Sequence, residues 1–523
     1  MNRYSNYHKH TYYSNLRTLD AVVSPEDYMK RAVELGHTTY FTGEHGFQGN
    51  IYETQTLCEK YNLKPIYSVE AYYVDDIEDR TDRKAYHIVL IAMTKKARYE
   101  INKIMSTANT DGFYYKPRIG LKELLSLTPT ETIVTTACIA SRLSDFLLRD
   151  EDGHFVGYVS EDKQREVLNN FLLPVLNHFG KNLYLEVQSH QAIDQVYYNK
   201  MIMVLHNKYN IPLIHANDSH YIKQGDAYYR DLFLKAKGIE YKEEKNFILD
   251  YPDYDTVLER YKVQGVLTEE QARQALDNTL IFDNAEPIYT DKEFKIPKVP
   301  NEFINEELGN GFSNEDSDKV LNEIIQRAWN KKKPSVNPNK ITEYVDAINY
   351  ETDIVKQCGM ADYFVLDHII VNRAVKKYGA VLTRSGRGSA VSFLINNLLG
   401  LTEVDRIKAP TKLYPTRFMS AERILSSRSL PDIDLNFANV EPAIQASKDV
   451  LGEDGIYYMI AYKPLQRSSA FRLWCKARDY NINEYDEVAK LLGEKDYTDE
   501  QFKENNPKWA TELEYSKVFR GVI

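Results

Sequence analysis

Short apolar runs and longer amphipathic stretches alternate through the first half of the chain. The runs at 40–41, 88–92, 133–136 and 212–215 have strand length, while residues 25–35 and 51–61 repeat their apolar positions at helical spacing. Strands alternating with helices predict a parallel α/β barrel, whose functional side chains gather at the C-terminal ends of the strands. Beyond about residue 239 the pattern changes. A charged helical stretch (268–280) gives way to Lys295-Ile296-Pro297-Lys298-Val299-Pro300, then a Gly309-Asn310-Gly311 turn and the acidic run 314–318. These read as a linker with a solvated face. Helices are predicted over 316–332, 342–359, 390–399, 441–451, 464–479 and 484–492. The expected division is a first domain over 1–283, a linker over 284–315, a second domain over 316–440 and a helical region over 441–523.

At 523 residues the chain is too long for one core, and two to four domains are expected. No apolar run reaches membrane-spanning length, and Met1-Asn2-Arg3-Tyr4 leads straight into a histidine motif without a signal-peptide pattern. Cys58, Cys138, Cys358 and Cys475 are scattered, which suits a reducing cytoplasm and no membrane association. A net charge of −10 argues against a protein that coats DNA uniformly, but not against one basic cleft. Such a cleft is indicated between Asn372 and Arg428, where eleven Lys/Arg stand against three Asp/Glu.

Two constellations carry chemistry. In the first half, His8 and His10 share a strand face, and Glu44-His45, Glu70, His87, Cys138, Asp218 and His220 fall at or near strand ends. Any one of these alone is an ordinary core or surface residue. Imidazole, carboxylate and thiol converging at one mouth make a site for Zn²⁺, Mn²⁺ or Fe²⁺ rather than Ca²⁺. In the second half, T-R-S-G-R-G-S (383–389) is a glycine-flanked turn entering a predicted helix, a seat for phosphate through backbone N–H groups and the helix dipole. Downstream, Pro431 marks a strand start. Asp432 and Asp434, two apart on that strand, project together while Ile433 and Leu435 go to the core. Paired carboxylates beside a phosphate seat suit Mg²⁺.

These residues carry a resemblance. H-K-H-T-Y-Y-S, E-H-G, V-E-A-Y, Y-H-I-V-L, G-F-Y-Y-K-P-R-I, T-T-A-C-I-A and H-A-N-D-S-H-Y, in that order, resemble the PHP (polymerase and histidinol phosphatase) domain. Y-F-V-L-D-H-I-I, G-R-G-S, R-F-M-S-A-E-R and P-D-I-D are similar to the palm of the C-family replicative polymerases, the bacterial DNA polymerase III alpha subunits. The resemblance implies a multidomain α/β fold: a distorted (β/α) PHP barrel, a nucleotidyltransferase-like α+β palm and a helical thumb. It implies a PHP metal set of His8, His10, Glu44, His45, Glu70, His87, Cys138, Asp218 and His220, holding up to about three metals for phosphodiester hydrolysis. The family usually has Asp where Glu44 stands. It further implies that Gly386, Arg387, Gly388, Ser389, Arg417 and Arg423 hold an incoming dNTP, and that Asp432 and Asp434 hold Mg²⁺ for attack by a primer 3′-OH. Arg467, Arg472, Lys476 and Arg478 would grip primer–template DNA. The spacer 424–429 is longer than the family's, and Asn436 replaces a common acid.

The family's third carboxylate lies in a segment of the type F-D-h-L-G-L (h, apolar) beyond the thumb, and nothing here matches it. The expectation is therefore the N-terminal part of a split or truncated DNA-directed DNA polymerase, completed by a second polypeptide that brings the fingers and third carboxylate and, through it, the sliding clamp and other replisome proteins. A 3′→5′ exonuclease or phosphoesterase working through the PHP site alone is one alternative, and a non-catalytic DNA-binding remnant is the other.

Overall fold

The strand-length apolar runs supply one central layer. The computed structural model describes residues 3–241, 246–287, 289–291, 295–383, 387–427 and 429–523. Ten strands are assigned among them: β1 (Thr39–Phe41), β2 (Lys64–Ile66), β3 (Ser68–Tyr73), β4 (Tyr86–Ala92), β5 (Arg118–Ile119), β6 (Thr132–Thr135), β7 (Leu147–Arg149), β8 (Phe155–Tyr158), β9 (Leu183–Gln188) and β10 (Leu213–Ala216). Six of these form a sheet in the order β10-β9-β6-β4-β3-β5, with β1–β2 and β7–β8 as separate pairs. Isolated bridges from Lys9 to Ser219 and from His45 to Glu70 extend the ladder beyond β10 and β3, which gives a distorted barrel.

The expected all-parallel arrangement is corrected here. β10–β9, β9–β6 and β3–β5 are parallel, but β4 runs antiparallel to both β3 and β6. The β3–β4 connection carries no helix, so it forms a return rather than a crossover, and adjacent strands joined that way run antiparallel. β3 and β9 are buried at every position, as near-continuous apolar runs covered on both faces should be. The flanking helices begin where their sequence says. Ser24 accepts from the Asp27 N–H, with Pro25 in the first turn of the helix Pro25–Glu34.

Two compact units result: residues 1–291 together with 462–523, and residues 292–461. This departs from the expected domain limits in two places. The stretch read as a linker contains the helix Asn301–Leu308, whose Ile304 and Leu308 are buried in the core of the second unit. The terminal helices do not form one thumb-like body: Glu441–Leu451 packs in the second unit, whereas Arg467–Ala477 packs in the first. The cause is apolar. Phe471, Trp474 and Phe519 bury against Leu232, Phe233 and Leu234 of the helix Ala227–Lys237. Burial of aromatic side chains of this size contributes roughly 2–3 kcal/mol each.

The second unit is mostly helical among its described residues. Its one strand-like contact is the bridge Leu382 to Phe437, flanked by Thr383 N–H to Asn436 O (2.9 Å) and Ala438 N–H to Val381 O (2.9 Å). The expected α+β palm is thus represented by a single pair of extended segments. The helix predicted over 390–399 is interrupted. A 3₁₀ turn (Ala390–Ser392) and a short helix (Leu394–Leu398) meet at Phe393, whose extended backbone turns its ring into the cluster with Phe364 and Phe418. No described helix is long and apolar enough to cross a membrane.

Candidate metal centre and acid pair

In the barrel the site is built by strand register. Glu70 pairs with Val89 and Tyr72 with His87, so Glu70, Tyr72 and His87 share one face of β3–β4. Because β4 runs backwards, His87 comes from its N-terminal end. His8 and His10 flank the bridge residue Lys9, Cys138 follows β6, and Asp218 and His220 follow β10. Two of these turns carry strained backbone. Ala137 (φ 58°) and Asp218 (φ 51°) are non-glycine residues in the left-handed region, a conformation that persists only where surroundings enforce it.

Seven of the nine expected ligands meet in three overlapping triads: His10/His45/His220, His8/His10/Asp218 and His45/Glu70/His87. Within each, the candidate ligand atoms lie within 4.8 Å of one another. His45 Nδ1 is 2.6 Å from Glu70 Oε2, His87 Nδ1 is 2.7 Å from Glu70 Oε1, and His10 Nε2 is 3.2 Å from Asp218 Oδ1. The imidazoles of His10 and His45 stack at 3.8 Å. Cys138 stands just outside the triads, its Sγ 3.7 Å from His87 Nδ1.

Glu44 does not join them. Its carboxylate accepts from the Thr11 N–H (3.0 Å), Thr11 Oγ1 (2.5 Å), Ser14 Oγ (2.7 Å) and Asn50 Nδ2 (2.9 Å). Neighbours on an extended segment point to opposite sides, so once His45 faces the cluster, Glu44 must face away. Burial pushes its carboxyl up. The residue that sequence reading missed is Asp20. Its Oδ2 lies 2.9 Å from His45 Nε2 and 2.5 Å from His220 Nε2, while Arg230 holds Oδ1. Asp20 follows a 3₁₀ turn (Tyr12–Leu16) and an irregular stretch, so no periodicity flagged it. Glu186 of β9 was missed too. It accepts from Tyr7 Oη (2.7 Å), Gln188 Nε2 (2.8 Å) and Thr135 Oγ1 (3.1 Å), and lies 2.9 Å from His8 Nδ1. This is the carboxylate-behind-imidazole arrangement that fixes a metal-binding ring.

The electrostatics are those of interleaved opposite charges. Burial opposes charge on Glu70, but His87, His45 and His8 outweigh it and hold the carboxyl well below its usual range. Burial likewise opposes charge on His8, yet the carboxylates of Asp218, Glu186 and Glu70 raise it well above an ordinary imidazole. His10, buried and beside His45, is pushed down to about 3. Burial pushes the Cys138 thiol up, and Asp218 and Glu70 add to it. A metal suits this set on a separate ground. His10 Nε2, His45 Nδ1, Glu70 Oε2 and Asp218 Oδ1 are buried and crowd against one another at ion-pair distance without a well-aligned hydrogen bond. Orphaned donors and acceptors of this kind are costly unless something ligates them.

In the second unit, the extended segment after Pro431 alternates as expected. Asp432 and Asp434 are exposed, while Ile433, Leu435 and Phe437 pack on the core. The pairing of 381–383 with 436–438 brings the glycine turn alongside. Gly388 (φ 69°) sits so close to Asp434 that a Cβ there would collide with Asp434 Oδ2. Arg387 and Asp434 line one small recess with Thr383, Ala390 and Leu401. Gly386 lies outside the described residues. Because the helix after Ser389 is broken, the expected helix-dipole seat reduces to the turn itself. Ser389 O instead accepts from Ser392 N–H and Oγ. Arg417 and Arg423 are exposed, and the Arg423 guanidinium is spent on the carbonyls of Arg417 and Phe418. A third acid, Asp367, lies near Tyr363, and burial pushes its carboxyl up to about 7.

The expected DNA grip is largely neutralised. Arg467 pairs with Asp499 (2.9 Å) and Arg472 with Asp486 (2.8 Å), and Arg478 donates to Tyr228 Oη (2.8 Å). Of the four, Lys476 alone is exposed without such a partner among the described residues.

Histidines, acids and a thiol converge on buried atoms at one mouth of the barrel, and residues 6–190 match the PHP domain family. Residues 319–521 match the bacterial DNA polymerase III alpha NTPase domain. Along nearly its whole length the chain is similar to DNA polymerase III alpha subunits. It is 28% identical to the Aquifex aeolicus subunit, covering 94% of this chain and 41% of that one, and 25% identical to the Campylobacter jejuni subunit, covering 100% and 44%. It is 24% identical to a DNA-directed DNA polymerase of Bacillus phage SPbeta, covering 91% and 40%. The chain spans about two fifths of the length of these relatives.

Proposed function

We propose that this chain is the N-terminal, nucleotide-handling part of a DNA-directed DNA polymerase of the alpha-subunit type. Its PHP cluster would serve as a metal-dependent phosphoesterase of the 3′→5′ exonuclease kind. The observation that carries the polymerase reading is the contact of the Gly388 turn with Asp434: the glycine turn, through Arg387, and one acid of the pair line one recess. Asp432 and Asp434 would hold Mg²⁺, which neutralises charge developing on the transferred phosphate. Arg387, Gly388 and Ser389, with Gly386, would orient the triphosphate of a dNTP, and Arg417 and Arg423 would line the approach. The third carboxylate, the fingers and clamp contacts would lie outside residues 1–523, and a polypeptide that carries them could supply them in trans. Mixing such a polypeptide with this chain is expected to give primer extension that Asp432→Ala abolishes and His8→Ala spares. No extension from the mixture, or extension indifferent to Asp432→Ala, removes the reading.

The completeness of the barrel cluster within this one chain favours a second activity. His8, His10, Asp20, His45, Glu70, His87, Asp218 and His220, with Cys138 alongside, would hold Zn²⁺, Mn²⁺ or Fe²⁺, which supply an activated water to a phosphodiester. Glu186 would fix the His8 ring. Hydrolysis lost in His8→Ala and unaffected by Asp432→Ala is the expected pattern.

A further inference from the structure

The PHP cluster opens to solvent on the side of His87 and Asp218, whose side chains are 15% and 14% exposed while those of His8, His10, Glu70 and His220 are at most 4% exposed. Beside that opening lies Tyr72, its ring 5.4 Å from His87 and 6.2 Å from His45. Two cations flank Tyr72. Lys116 Nζ rests 4.3 Å from the ring centroid, and Arg17 precedes Thr18, whose Oγ1 is 2.8 Å from Tyr72 Oη. Both are half-buried. Among the described residues neither has a carboxylate partner: Arg17 reaches Asn109 Oδ1 and the Phe113 ring, and its Nε is buried and unpaired. Arg142 and Arg230, by contrast, are each neutralised by aspartates. Half-buried cations left without counter-charge at the mouth of a hydrolytic site point to an anionic ligand.

The adjoining loop is held in place from below. Arg118, buried, donates to the carbonyls of Gly112 (3.1 Å), Asp79 (2.7 Å) and Ile77 (2.8 Å), and Arg80 donates to Phe113 O (2.9 Å). Tyr114 N–H closes the loop on Lys116 O (3.1 Å), and Tyr115 takes a left-handed backbone (φ 60°). The loop also abuts the cluster: a Cβ on Gly46, next to His45, would strike Pro117 and Tyr72. The fixed loop presents Phe113 and Tyr115 outward, 44% and 58% exposed, with the Arg83 guanidinium 4.0 Å over the Tyr115 ring. Exposed rings beside cations are how unpaired bases are held, since every base offers a π face once its partner strand is absent.

We propose that Arg17 and Lys116 seat the phosphodiester backbone of a single-stranded nucleic acid at the mouth of the PHP cluster, while Phe113 and Tyr115 stack on its bases. This rests on the phosphoesterase reading, and the test separates the two. The probe is a single-stranded oligothymidylate with 4-thiothymidine near its 3′ end, photo-crosslinked to the full chain and mapped by mass spectrometry. Its hydrolysis is compared with that of bis(p-nitrophenyl) phosphate, which has no neighbouring phosphates or bases. Crosslinks are expected within 113–116. Arg17→Gln and Lys116→Gln should each raise KM for the oligonucleotide roughly tenfold. kcat, bound metal and hydrolysis of the small diester should stay unchanged, and Lys116→Arg should retain the parent KM. Crosslinks mapping elsewhere, an unchanged KM, or loss of bound metal in both Lys116 variants overturns the seat. If neither substrate is hydrolysed, the phosphoesterase reading falls, and the crosslinks alone decide whether the seat exists.

Discussion

The barrel cluster and the acid pair differ in how much of their surroundings this chain supplies. Around Glu70 every neighbour is present: imidazoles on its own layer, Glu186 braced behind His8, and two strained turns held in register. Among the described residues, Asp432 and Asp434 have one glycine turn with Arg387, one β-bridge and otherwise exposed surface around them. A site enclosed by its own sheet is pre-organised, whereas an exposed acid pair on an extended segment must have its geometry fixed by what is added to it. The family match over 319–521 also runs across the boundary between the compact units. Sequence relationship and physical packing thus divide this chain differently.

The sharpest way to break the comparison is to remove the hub of the enclosed site. Glu70 touches His8, His10, His45 and His87. Glu70→Ala leaves those rings without their shared carboxylate and should weaken transition-metal binding by at least about a hundredfold. Elemental analysis of protein purified without chelator checks it. Metal retained at parental stoichiometry would mean that the triads are a salt-bridge network rather than a metal centre.

A smaller effect sharpens the other side. Gly388 and Gly379 share nearly the same left-handed backbone (φ 69° and 68°), but a Cβ on Gly379 meets open space while one on Gly388 meets Asp434. Alanine at either position carries the left-handed penalty of roughly 1–2 kcal/mol. Gly388→Ala should cost more than Gly379→Ala in urea unfolding, and Gly388→Ala combined with Asp434→Ala should bring the two level. Equal costs from the start would mean that the exposed Asp434 carboxylate swings aside from the added methyl rather than being held against the turn.

Much of this was legible beforehand, for particular reasons. Helix and strand positions followed from periodicity because β1, β4, β6 and β10 are short apolar runs and the helix starts are capped. The ligand histidines were legible because they cluster at strand ends. Glu44 misled because family position outweighed geometry: adjacent residues on an extended segment cannot both face one mouth, and that constraint was already in the sequence. Asp20 and Glu186 were not legible. One follows an irregular stretch, and the other sits inside an apolar strand where only the tertiary partners Tyr7 and His8 reveal its role. The basic helix 467–477 looked like a DNA grip because its acids, Asp486 and Asp499, come from later helices. The break at Phe393 is a packing event with Phe364 and Phe418 that helical spacing could not show.

The smallest expected effect concerns Asp367, the acid of the open unit that burial pushes up to about 7. A carboxyl whose folded pKa is raised binds its proton more tightly folded than unfolded. Its neutral form therefore costs the fold nothing at low pH, and stability is lost as pH rises from its unfolded value near 4 until the folded group itself ionises near 7. Asp367→Asn removes that loss. The variant should match the parent near pH 4 and exceed it above pH 7 by on the order of 2 kcal/mol. Amide exchange in the helix Ala361–Tyr378 is the local readout. A gain of the same size at every pH would trace the change to packing rather than to ionisation. No gain at pH 8 would mean that the ionised carboxylate already has a compensating cation or donor beside it.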